Sequence, residues 1–155
     1  MTPERRIRNS LEFLYDEPTA ERLWKRLHAR LEEFKQGHPN LADKEIDLSQ
    51  GDAILITYAD QVQSPDQPPL ETLALFLEER LEDSISGVHL LPFFPYSSDD
   101  GFSVIDYRRV DPLAGSWQDI HRLGRSFRLM FDAVINHISR ESAWFQAFRR
   151  GEAPY

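Results

Sequence analysis

Three short apolar runs, separated by stretches of helical period, constrain this chain more than any other feature. The runs are Ala53–Thr57, Gly87–Leu91 and Leu129–Val134. Near-continuous apolar runs of this length are expected of strands buried on both faces, as in a parallel sheet. Between the first two runs, Leu70, Leu73, Leu77 and Leu81 recur at helical spacing. Between the second and third, residues 117–126 read as a helix with Ser116 placed to cap it. After the third, Ser142 to Arg150 reads as a helix with Trp144, Phe145 and Phe148 on one side. Strands alternating with helices imply parallel pairing through right-handed crossovers. This βαβαβα order fits a doubly wound sheet and part of a (β/α)8 barrel equally well. In both, chemistry gathers at the C-terminal ends of the strands.

Residues 1–50 form a different region, a helical extension ahead of the βα units at 51–155. Ile7, Leu11 and Leu14 recur at helical spacing, and Pro18 is expected to end that helix. Thr19 is then expected to cap a second helix whose apolar positions are Leu23, Leu27, Leu31 and Phe34. Gly37 followed by Pro39 is a stop signal. Residues 41–52 read as a polar connector with a turn or so of helix.

Composition excludes several classes of function. A formal charge of −8 opposes nucleic-acid binding, which rewards clustered Lys and Arg. The basic stretch at Arg5, Arg6 and Arg8 is surrounded by Glu4, Glu12 and Asp16 and reads as a solvated helix face. Without cysteine, neither disulfides nor thiolate metal sites can form. No stretch has the apolar length of a membrane span, and the N-terminus lacks a signal-peptide pattern, so a cytoplasmic location is expected. Phosphate-binding glycine loops, HExxH and GxSxG are all absent from the sequence.

The strand ends carry the unusual residues. Tyr58, Asp60 and Gln61 follow the first run. A loop rich in aromatics and aspartates, from Pro92 to about Gly115, follows the second. Asn136 and His137 follow the third, with Asp132 four residues before Asn136. Singly, each has an ordinary explanation. Asp99-Asp100-Gly101 suits a turn, Asp132 suits a structural hydrogen bond, and Phe93, Phe94 and Tyr96 suit packing beneath the loop. On adjacent strand ends, however, carboxylates, imidazole and aromatic rings converge. Carboxylates and imidazole bind sugar hydroxyls directionally, and aromatic faces cover the apolar face of a pyranose.

Asp132-Ala-Val-Ile-Asn136-His137 resembles the first conserved region of the α-amylase superfamily, glycoside hydrolase family 13. Residues 56–60 (ITYAD), 87–95 (GVHLLPFFP), 100–107 (DGFSVIDY) and the segment from Val110-Asp111 to Trp117 resemble its sucrose phosphorylase branch. The likeness covers about residues 53–150. With the helical extension, it is nearest to the glucosylglycerate phosphorylases, while sucrose and sucrose 6-phosphate phosphorylases are competing readings. The resemblance implies the first three βα units of a (β/α)8 barrel and a retaining phosphorylase that makes α-glucose 1-phosphate. It implies that Asp99 and His137 bind hydroxyls of the glucosyl unit and that Phe102 packs on that sugar. Asp132 and Asn136 would support the site, with no metal or cofactor; glucoside and inorganic phosphate are the substrates. In the family the nucleophile, acid/base and stabilising aspartate follow the fourth, fifth and seventh strands. This chain is therefore expected to supply no catalytic residue, to be inactive alone, and to need the remainder of the barrel as partner. A non-catalytic sugar-binding module is the reading from another class.

Overall fold

A computed structural model describes residues 1–42 and 48–155. Its contacts divide the chain into two compact units, Met1–Asp47 and Leu48–Tyr155.

The first unit is a helical hairpin. Helix α1 spans Pro3–Leu14, and Thr2 caps it by accepting from the Arg5 amide. Helix α2 spans Glu17–Gly37, and α3 is a single turn over Pro39–Ala42. The expected boundary between α1 and α2 is corrected here. Pro18 lies in the first turn of α2, and Asp16, not Thr19, is the cap, accepting from the Thr19 amide at 2.8 Å. A proline has no N–H to lose in the first turn and its fixed φ suits that position, so the chain breaks before it. The Thr19 amide holds the Asp16 carboxyl below the usual carboxylate range. Arg8 joins the two helices through Glu21 at 2.9 Å. Ala20 is buried where they meet, whereas Leu14, Leu27 and Phe34 remain exposed. The connector reading of residues 41–52 falls partly on 43–47, outside the described residues.

The second unit is built on a three-stranded parallel sheet in the order β1-β2-β3. Strand β1 is Ile54–Thr57, β2 is Gly87–Leu90 and β3 is Arg128–Phe131. Helix α4, Pro69–Leu81, joins β1 to β2; helix α5, Trp117–Ser126, joins β2 to β3; helix α6, Ala143–Arg149, follows. Asp119 accepts from both the amide and the hydroxyl of Ser116, at 2.8 and 2.7 Å, closing the expected cap of α5. Strand β3 stops three residues short of the expected Val134. Its ladder ends where β2 ends, at the Phe131–Leu90 pair, because β2 runs into Leu91-Pro92 and offers no further partner.

Side-chain alternation divides the sheet into two unlike faces. Leu55, Val88 and Leu129 lie in register on the face covered by α4 and α5. Leu70, Leu73, Leu77, Ile120 and Leu123 complete that core. Glu78 on α4 and Arg122 on α5 brace its outer side through a bidentate pair, with Arg122 Nη2 at 2.6 Å. The opposite face carries Ile56, His89 and Met130 in register. Here Ile56 is 63% and Met130 47% exposed. Burial of β1 on both faces is therefore corrected: the helices cover one face of the sheet and leave the other apolar and open.

Candidate functional site

The loop between β2 and α5 sets the geometry at the strand ends. Residues 96–104 fold back on themselves as a small hairpin. Tyr96 bridges Val104, Ser97 N–H donates to Ser103 O at 3.0 Å, and Ile105 N–H donates to Pro95 O at 2.7 Å. The tip is a 3₁₀ turn, Asp99–Gly101, and all three of its residues have positive φ: 61°, 48° and 99°. Aspartate tolerates the left-handed region at a cost, whereas glycine enters it freely. Gly101 is required for a second reason: a Cβ there would lie 2.9 Å from the Pro92 carbonyl oxygen. Strained backbone of this kind costs of order 1–3 kcal/mol per residue and collects at functional sites. Gly101→Ala is expected to destabilise this loop. Faster amide exchange at Phe102 and Ser103 would show it, and unchanged protection would contradict it.

The turn brings Asp99 against the end of β3. Asp99 Oδ2 lies 3.8 Å from His137 Nε2, and their side chains are 69% and 42% exposed. A pair this open contributes little to stability. Phe102, half-buried, closes the turn by donating its amide to Asp99 O at 2.9 Å. Asp132 sits one residue past β3 and accepts from His89 Nε2 at 3.0 Å, tying the ends of β2 and β3 together. Asn136 is exposed near His137.

The strand-end residues therefore gather in two places. Asp99 and His137 meet between the β2 and β3 ends. Tyr58 and Asp60 beyond β1 line a depression of about 500 Å³ with Phe93, Tyr96, Asp100 and Asp111. In that depression Asp100, the neighbour of Asp99, is one of three carboxylates, with Asp60 and Asp111. Tyr107 supports both places from below. Its ring meets Phe94 edge-on and stacks on Trp144 of α6, and its hydroxyl donates to Val134 O. Burial pushes its phenol pKa up, so it stays a neutral donor. His89 as the partner of Asp132 was not read from the sequence. The period-two pattern, which puts His89 on the open face beside Met130, is the signal that points to it. Among the described residues, no group of three or more His, Cys, Asp or Glu is placed to hold a metal ion. Among them also, no helix is long and apolar enough to cross a membrane.

With this geometry established, the relatives are informative. Residues 82–155 match the α-amylase catalytic domain. The chain is 46% identical to the glucosylglycerate phosphorylase of Spirochaeta thermophila over 159 residues, which take in 100% of this chain and 27% of the relative. It is 45% identical to the sucrose phosphorylase of Streptococcus mutans over 96 residues, 62% of this chain and 19% of that one. The crystal structure of sucrose 6F-phosphate phosphorylase from Thermoanaerobacter thermosaccharolyticum matches 66% of this chain and 20% of its own, with a TM-score of 0.59 and 38% identity. The chain thus spans about a quarter of the length of the first of these relatives. Its parallel β1-β2-β3 sheet and covering helices are the first three βα units of a (β/α)8 barrel, preceded by a helical extension. Over residues 82–155 the chain is similar to the α-amylase catalytic domain.

Proposed function

We propose that this chain forms the glucose-holding side of a retaining phosphorylase, one that transfers a glucosyl group from glucosylglycerate to inorganic phosphate. One observation carries the choice of glucoside. The likeness to a glucosylglycerate phosphorylase runs through the whole chain, helical extension included, whereas the sucrose phosphorylase match takes in 62%.

In this reading Asp99 accepts hydrogen bonds from hydroxyls of the glucosyl unit. His137, 3.8 Å away, bonds the same unit, and Phe102 covers its apolar face. Asp132 and Asn136 support the loop that bears His137. An aspartate beyond this segment attacks the anomeric carbon while a glutamic acid protonates the departing oxygen. Phosphate then takes the glucosyl group from that aspartate and leaves as α-glucose 1-phosphate, with retained configuration. The strands that supply those groups would cover the open sheet face and the free sheet edges. This reading assigns no metal ion and a cytoplasmic location.

The test replaces the matched segment of the Spirochaeta thermophila enzyme with residues 1–155 and assays three glucosides with phosphate. Release of α-glucose 1-phosphate is expected to be at least about tenfold faster from glucosylglycerate than from sucrose or sucrose 6-phosphate, a difference of about 1.4 kcal/mol in transition-state binding. Equal rates would remove the choice of glucoside.

A further inference from the structure

We infer that Ser139 and Ser97 are positioning residues that lock the Asp99 turn against His137; the inference rests on the glucose-holding role proposed for that pair. Ser139 is fully buried, two residues after His137, and Ser97 lies two residues before Asp99. Their hydroxyl oxygens are 2.7 Å apart across 42 residues of chain. The direction of the bond follows from counting protons. Ser97 donates its single hydroxyl proton to Ser103 Oγ at 3.3 Å, so it accepts from Ser139. Ser139 also accepts from the Glu141 amide at 3.0 Å, which fixes its hydroxyl relative to the loop after β3.

The backbone reinforces the same junction. The Ser139 amide donates to Val104 O at 3.0 Å, on the opposite limb of the 96–104 hairpin from Ser97. One buried residue therefore grips both limbs at the hairpin base, and the tip of that hairpin carries Asp99 and Phe102. The two loops that bear Asp99 and His137 have this hydroxyl relay as a side-chain link close to the pair. Because Asp99 and His137 are themselves exposed and 3.8 Å apart, their own attraction is too weak to set their separation. The serine relay sets it instead.

Two measurements test this. In the chain itself, Ser97→Ala and Ser139→Ala are each expected to raise amide exchange severalfold at Ser97, Ser103 and Ile105, while Ser97→Thr, which keeps the hydroxyl, does not. Ser97 is exposed, so its substitution does not threaten folding. In the barrel completed with the Spirochaeta thermophila remainder, Ser97→Ala is expected to lower kcat/KM for the glucoside roughly three- to tenfold, as the loss of one hydrogen bond does. In an Asp99→Ala background the same change is expected to have no further effect, because the serine acts through Asp99. A purely structural role would reduce activity by the same factor in both backgrounds. Unchanged exchange, or additive losses, overturns the inference while leaving the glucose-holding role intact. A folded completed barrel in which Asp99→Ala has no effect overturns that role, and the inference with it.

Discussion

In the completed barrel, Asp99→Ala is expected to lower kcat/KM for phosphorolysis roughly 10- to 100-fold, with only a small loss of thermal stability. A hydrogen bond to a charged group is worth about 1.5–3 kcal/mol, and that loss appears in full when the interaction forms in the transition state. Loss of the side chain itself costs little stability, because it is 69% exposed and faces His137 across 3.8 Å. Alanine suits the left-handed backbone at Asp99 less well than aspartate, which adds a cost of about 1 kcal/mol, or a few degrees for a domain of this size. Asp100→Ala provides the comparison. Its carboxylate lines the neighbouring depression with Tyr58 and Asp60, so it should leave the glucosyl step much less affected. If Asp100→Ala proves the more damaging of the two, the roles assigned to these neighbours are reversed.

The second large effect concerns the open sheet face. At micromolar concentration the 155-residue chain is expected to self-associate, running well above 18.1 kDa by light scattering. Ile54, Ile56 and Met130 form an apolar stripe on the face opposite α4 and α5. Among the described residues each outer strand, β1 and β3, pairs with β2 alone. Open apolar patches and unpaired strand edges both recruit other chains. Ile56→Lys together with Met130→Lys should shift the chain toward monomer, since neither side chain contributes to the buried core. A wild-type chain that stays monomeric would mean that something covers this face.

Much of the second unit was legible because its signals are local. Strand β2 is bounded by Gly87 and Pro92, α4 follows its leucine period, and Ser116 and Asp119 announce the start of α5. What failed depended on information outside the local pattern. The run Leu129–Val134 looks like one strand, yet its length is set by where β2 stops pairing. Thr19 looks like a cap, but Asp16 stands three residues earlier, where its carboxylate reaches the Thr19 amide. The apolar run at β1 could not reveal that only one face is covered, because an open barrel interior and a buried core select the same residues.

The site was partly legible for the same reasons. Asp99, Phe102 and His137 came from ordered motifs, and the structure places Asp99 beside His137. The contacts that tie these loops together were harder to read. His89 to Asp132 spans 43 residues and Ser97 to Ser139 spans 42, and only the strand alternation that puts His89 on the open face points to either pair.

The glucose-holding role is tested most directly by the product formed when residues 1–155 replace the matched segment of the Spirochaeta thermophila phosphorylase. The measurement is phosphate-dependent release of α-glucose 1-phosphate from glucosylglycerate by the folded protein. Robust release that collapses on Asp99→Ala or His137→Ala is expected. A folded protein that releases free glucose, forms no α-glucose 1-phosphate, or is indifferent to both substitutions would contradict it.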